Sequence, residues 1–205
     1  MSNNKPLFVT GIGTDVGKTI ISAILVEKLK ADYWKPIQSG DLDNSDTMKV
    51  QRLISNPITK FHPEAYRLTQ PYSPHKSAAL DNVAIDPGKI VIPQTNNLLI
   101  IEGAGGLMVP LNNNYLIVDL IKQLDAEVIL VSRNYLGSIN HTLLSLSLLK
   151  HENIKVRTLI FNGPPDESSE SFILKQAQES IINRVNYTDA LTKEYIIEQA
   201  IQIEL

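Results

Sequence analysis

The residues best placed to do chemistry sit near the start of the chain, in the run Gly11, Ile12, Gly13, Thr14, Asp15, Val16, Gly17, Lys18, Thr19. A short apolar stretch, Leu7 to Thr10, precedes it and a helical pattern, Thr19 to Leu29, follows. Strand, glycine-rich loop and helix in that order form a phosphate cradle. Backbone N–H groups of the loop converge on phosphate oxygens, the helix start adds positive potential, Lys18 adds a full charge, and the Thr19 hydroxyl can ligate Mg²⁺. The spacing is unusual, since five residues separate Gly11 from Gly17 and three separate Gly13 from Gly17, where four are customary. Gly11, Gly13 and Gly17 also make a loose dinucleotide-type pattern. Against that reading, Lys18 and Thr19 follow at once, the next strand ends in Lys35 and Pro36 where a ribose-binding acid is wanted, and Asp32 lies at its wrong end.

The elements that must hold this loop alternate. Apolar runs at Leu98 to Ile101, Glu127 to Val131 and Val156 to Phe161 read as buried parallel strands. Helices are expected over Ile117 to Leu124, Ser138 to His151 with Ser138 as N-cap, and Glu170 to Ile181. The α/β alternation predicts a mostly parallel sheet flanked by helices, with ligands at the carboxyl ends of the strands. Residues 41–94 carry prolines at 57, 63, 71, 74, 87 and 93 and read as one helix plus long loops that shape a substrate site.

At 205 residues, with 43% hydrophobic and 20% charged side chains, residues 1–205 are expected to form a single domain with its own core. A formal net charge of -3 gives no electrostatic reason to bind nucleic acid or an anionic membrane, so the expected partners are small molecules. The absence of cysteine excludes disulfides, thiolate metal sites and cysteine nucleophiles. With no signal-like or spanning apolar run, the protein is expected in the cytoplasm. His62, His75, His141 and His151 share no ligand spacing.

The variant loop, with Thr14, Asp15, Val16, Gly17, Lys18 and Thr19 after a glycine, resembles that of the dethiobiotin synthases. Further segments match in order: Tyr33 to Gly40, Asn44 to Asp46, Ser73 to His75, Glu102 to Gly106, and Leu136 to His141. The resemblance runs from residue 7 to about 162. It implies a P-loop ATPase architecture and ring closure of 7,8-diaminopelargonate with CO2 to dethiobiotin, with ATP as co-substrate and Mg²⁺ as cofactor, giving ADP and phosphate. It also implies a homodimer with the substrate site at the subunit interface.

By matching position, Lys35, Lys18 and Thr14 are the implied catalytic residues. Gly13, Thr14, Asp15, Val16, Gly17, Lys18, Thr19, Asp46, Glu102 and Asn162 would bind ATP, with Asn162 reading the adenine edge. Thr19, Asp46 and Glu102 would hold the metal, a hard-oxygen set. Ser39, Gly103, Ala104, Gly105, Gly137, Ser138, Ile139 and Asn140 would contact substrate, the last four serving the diamine bound in the partner subunit. Asp46 can equally cap a helix, and Ser138 can equally cap its own. After Asn162 the match ends, since Ile181 to Asp189 stands where relatives carry a Gly-x-Ile-Pro strand end. Two other ATPase classes fit less well. A partitioning or cell-division switch would carry a signature lysine where Gly13 stands, and prefers basic residues where Thr192 to Leu205 is acidic. A cobyrinate-type amide-forming enzyme would add a glutaminase domain with a cysteine.

Overall fold

Apolar side chains alternate along each central strand, so the strands are greasy on both sides and must lie in a sheet covered twice. Leu99 and Ile101 pack with Phe8, Val128 and Leu130 on one face. Ile100 packs with Val9, Ile129 and Val131 on the other. The computed structural model describes residues 5–177 and 181–205. The elements in chain order are β1 (Leu7–Gly11), α1 (Lys18–Leu29), β2 (Asp32–Trp34), β3 (Ile37–Ser39), α2 (Asp46–Leu53), β4 (Phe61–His62), β5 (Tyr66–Leu68) and α3 (Pro74–Leu80). They continue with β6 (Leu99–Gly106), β7 (Pro110–Asn112), β8 (Tyr115–Leu116), α4 (Ile117–Gln123), β9 (Glu127–Ser132), α5 (Ser138–His151), β10 (Val156–Asn162), α6 (Glu167–Gln176), β11 (Ile181–Val185) and α7 (Lys193–Gln202).

Seven strands form one sheet in the order β11-β10-β9-β1-β6-β2-β4. Every adjacent pair in it is parallel. Ile21, Ile24 and Leu25 of α1 and Ile196 of α7 cover one face. Ile117, Leu120 and Ile121 of α4, Leu149 of α5 and Ile173 of α6 cover the other. Burying a side chain of this kind contributes roughly 1.5–3 kcal/mol. Because β1 lies between β6 and β9, the connections leave in opposite directions on its two sides and open a crevice at its carboxyl end.

Two sequence expectations need correction. Residues 41–94 hold two α-helices, and β4 extends the main sheet by pairing with β2 at Tyr33↔Phe61. The prolines punctuate short elements there; they do not prevent them. The expected helix over Glu170–Ile181 is α6 at Glu167–Gln176 instead, started by the Asp166 carboxylate accepting from Ser169 N–H. Residues 178–180 lie outside the described residues, and Ile181 opens β11, which pairs with β10 from Thr158↔Ile181 to Asn162↔Val185. The segment without the Gly-x-Ile-Pro pattern thus still supplies an edge strand beside Asn162.

Candidate active site

Strand register builds the centre of the site. In the parallel pair β2–β6, Tyr33 stands opposite Ile100 and Trp34 opposite Ile101, so one step further brings Lys35 level with Glu102. Lys35 Nζ lies 3.0 Å from Glu102 Oε1 and 2.7 Å from Asp46 Oδ2, and it donates to the Gly103 carbonyl at 3.2 Å. Both Lys35 and Glu102 are buried. Burial pushes the Lys35 ammonium down, but the charges of Glu102 and Asp46 outweigh it and hold it above the usual lysine value. Burial also raises the Asp46 carboxyl, and the Lys35 charge more than offsets this, leaving it below its usual value.

The phosphate loop lies against the same carboxylate. Thr19, in the first turn of α1, donates from Oγ1 to Glu102 Oε1 at 2.8 Å. Lys18 is buried and folds back so that its Nζ donates to the Gly13 carbonyl at 3.2 Å. Burial first, and then the nearby Lys35 charge, lowers the Lys18 ammonium from its ordinary value. Gly17 caps α1 with φ +95, the left-handed region that glycine adopts without strain. A Cβ there would also stand 2.0 Å from Asn162 Nδ2. Asn162, at the end of β10, donates to the Val16 carbonyl at 2.8 Å, so it braces the loop from behind.

A cleft of about 720 Å³ opens over these groups. Of the residues the sequence singles out, Thr14, Asp15, Gly17, Lys18, Thr19, Lys35, Ser39, Asp46, Glu102, Ala104 and Gly105 line it. Ser39 Oγ is buried and has no hydrogen-bond partner among the described residues. The opposite wall comes from the middle segment, through Pro71, Tyr72, Ser73 and Pro74. Lys49 adds a third cation, 2.7 Å from Asp41 and 3.6 Å from Asp46. Another hollow, of about 380 Å³ beside Asp32 and Thr95, opens at the amino end of β2, away from the phosphate loop.

Several expected residues stand outside the cleft or do different work. Gly103 to Gly106 continue β6, and a Cβ on Gly103 would meet the Phe8 ring at 2.6 Å, so close packing requires that glycine. Gly106 lies beside Gly11 in the sheet. Val16 is buried under the loop. Ser138 is not the N-cap of α5; Gly137 is, with φ +106 and no side-chain cap. Ser138 is buried, and its carbonyl accepts from the Thr142 hydroxyl at 2.7 Å. Gly137, Ile139 and Asn140 begin the same helix away from the cleft lining, with Asn140 exposed. Asp46 opens α2, whose cap is Ser45, accepting from Met48 N–H.

Sequence reasoning missed Tyr33 and Gln38. The Tyr33 hydroxyl donates to Glu102 Oε2 at 2.8 Å. Gln38 accepts from Asp46 N–H at 3.2 Å, fixing the start of α2 at the cleft. Period-two alternation back from Lys35 points to Tyr33; nothing local in the sequence points to Gln38.

Comparison with known proteins points to one family. A family described as an AAA domain matches residues 5–195. The protein named ATP-dependent dethiobiotin synthetase BioD of Cytophaga hutchinsonii is 48% identical over 97% of this chain and 97% of its own. Its namesake in Christiangramia forsetii is 49% identical over 93% and 94%. Among solved structures, a ParA family ATPase from Chlorobium tepidum superposes with a TM-score of 0.61 at 16% identity, over 98% of this chain and 99% of that one, which speaks for the fold alone. The identities over nearly the whole length, joined to a phosphate loop, two lysines and two carboxylates in one cleft, place this chain in the dethiobiotin synthetase family of P-loop ATPases.

Proposed function

We propose that this chain closes the ureido ring of dethiobiotin from 7,8-diaminopelargonate, CO2 and ATP, releasing ADP and phosphate, as a step of biotin biosynthesis. The observation that carries the reading is that Lys18 of the phosphate loop and Lys35 of β2 line one cleft with Asp46, Glu102 and an unpartnered Ser39 hydroxyl. The reaction balances with no enzyme nucleophile. One substrate amine adds to CO2 and, losing a proton, becomes a carbamate. A carbamate oxygen attacks the γ-phosphorus and ADP leaves, giving a carbamic-phosphoric anhydride. The second amine attacks the carbonyl carbon, the C–O bond to phosphate breaks, and inorganic phosphate departs as the ring closes. Such chemistry needs positioning and charge neutralisation.

In this reading Lys18 and the loop N–H groups of Gly13 to Thr19 hold the β- and γ-phosphates, Thr14 touches the transferring group, and Lys35 neutralises the carbamate and phosphoryl oxygens. Ser39, Ala104 and Gly105 contact the diamine, and Asn162 borders the base. The metal fits Thr19, Asp46 and Glu102. The Thr19 hydroxyl already touches Glu102, and the two carboxylates already share one cation, Lys35. Among the described residues no group of three or more acidic or histidine side chains forms a full cage. Two carboxylates and a hydroxyl suit Mg²⁺, which keeps waters and substrate phosphates as its other ligands. When bound, that ion would neutralise phosphate charge.

The exposed Leu136 before α5 supports a homodimer, in which Gly137, Ser138, Ile139 and Asn140 at the helix start would meet the substrate carboxylate of the partner subunit. Among the described residues no helix is long and apolar enough to cross a membrane, and with the cysteine-free composition this supports work in the cytoplasm. The test is ADP release from Mg-ATP and bicarbonate with and without the diamine, repeated with CTP and GTP, with product read by mass spectrometry. Diamine-dependent release with dethiobiotin formed supports the reading. Hydrolysis that ignores the diamine would sink it and favour a switch-type ATPase.

A further inference from the structure

Tyr33 is fully buried, yet its one polar atom points at the reacting end of the sheet. The register explains how. Tyr33 pairs with Ile100, and Glu102, two residues further along β6, projects from the same face, within reach of a phenol leaning along the strand. The ring is fixed by a tilted contact with Phe61, centroids 5.8 Å apart, and belongs to the core that holds Ile21, Ile24 and Ile100. The hydroxyl donates to Glu102 Oε2 at 2.8 Å, whereas Thr19 and Lys35 both donate to Oε1, at 2.8 and 3.0 Å. The two carboxylate oxygens therefore have separate duties.

We propose that Tyr33 is a positioning residue, whose buried phenol holds Glu102 Oε2 and so keeps Oε1 turned toward Thr19, Lys35 and the magnesium ion of the bound nucleotide. The inference rests on the reading of Glu102 as a metal-binding carboxylate. A phenylalanine would fill the same core, so packing does not require the hydroxyl. What the hydroxyl supplies is a partner for an oxygen that would otherwise be buried unpaired, with the carboxylate free to rotate away from the loop.

The test is a cycle of Tyr33→Phe, Glu102→Gln and the double variant, with Mg²⁺ titrated calorimetrically into protein saturated with ADP, and ADP binding measured separately in EDTA. Tyr33→Phe is expected to weaken Mg²⁺ binding about 10-fold or more, the scale of lost outer-shell partners, with ADP affinity in EDTA unchanged. Glu102→Gln weakens Mg²⁺ at least as much, and adding Tyr33→Phe to it costs nothing more. Wild-type Mg²⁺ affinity in Tyr33→Phe, or a further loss in the double variant, overturns the positioning role. Unchanged Mg²⁺ affinity in Glu102→Gln overturns instead the metal reading of Glu102. Phe61→Leu, which loosens the ring but keeps the hydroxyl, is the packing control: an equal loss there also overturns the proposal. Should Tyr33→Phe alone fail to fold, the double variant against Glu102→Gln decides the matter, because no buried charge is then left unpaired.

Discussion

Lys35 Nζ lies 3.0 Å from Glu102 Oε1, although the two residues are 67 positions apart in the chain. Neighbouring strands set them side by side, and the ammonium is pinned between two carboxylates without being consumed by either. Lys18, in contrast, makes its hydrogen bond to a loop carbonyl. The two lysines should therefore fail differently. Lys18→Ala should abolish phosphoryl transfer and weaken nucleotide binding. Lys35→Ala should leave ADP binding near normal while product formation falls about 10²–10³-fold, the range seen when one electrostatic stabiliser is removed. Near-normal turnover in Lys35→Ala would show the mechanism to be wrong.

Gly17→Ala faces both a left-handed backbone and the Asn162 amide. It should cost at least about 1 kcal/mol and lower the melting temperature by about 2–4 °C per kcal/mol. Adding Asn162→Ala should recover the collision but not the backbone strain. Full recovery in the double variant would mean that φ at Gly17 carries no penalty.

Ser39 Oγ has no hydrogen-bond partner among the described residues, so Ser39→Ala should leave stability within about 0.5 kcal/mol of wild type. The KM for the diamine should rise while that for ATP stays unchanged. A diamine KM that does not move would remove Ser39 from the substrate site.

At the opposite end of β2, Asp32 is buried and accepts from Thr95, Lys60 N–H, Asn97 and, at 3.2 Å, the His62 ring. Burial pushes its carboxyl up, but these hydrogen bonds outweigh it and hold it below the usual value. A depressed carboxyl adds stability above its unfolded value, about 3.9, and loses it as pH falls through the folded one. Asp32→Asn should thus cost about 1–3 kcal/mol at pH 7, with the deficit shrinking below about pH 4. A deficit constant from pH 7 to pH 3, followed by urea unfolding, would contradict this.

The phosphate loop was legible because its chemistry is local: strand, glycines, lysine and threonine lie within thirteen consecutive residues, 7–19. The β-α-β order and the covered sheet were legible from apolar runs for a similar reason. Glu102 and Lys35 came only through resemblance, since their meeting depends on the register of β2 on β6. Alternation back from Lys35 points to the Tyr33 position, but not to its partner, because the hydroxyl is explained by a residue 69 positions away. Ile181 to Val185 fits a helix or an edge strand equally well, and the ladder to β10 decides between them. Ser138 looked like a cap because serine favours that position, but the left-handed Gly137 takes it.

The central place of β1 has a consequence for synthesis. Leu7 pairs with Ile100 on one side and with Glu127 on the other, so β1 must wait for two strands that are synthesised long after it. Contacts of such long sequence separation make folding slow, and a nascent chain cut before residue 127 carries an apolar strand with an open edge. Asn162 extends the delay, because its brace on the Val16 carbonyl spans 146 positions. A growing chain therefore carries the phosphate-loop sequence well before the tip of β10 emerges to supply the loop's brace.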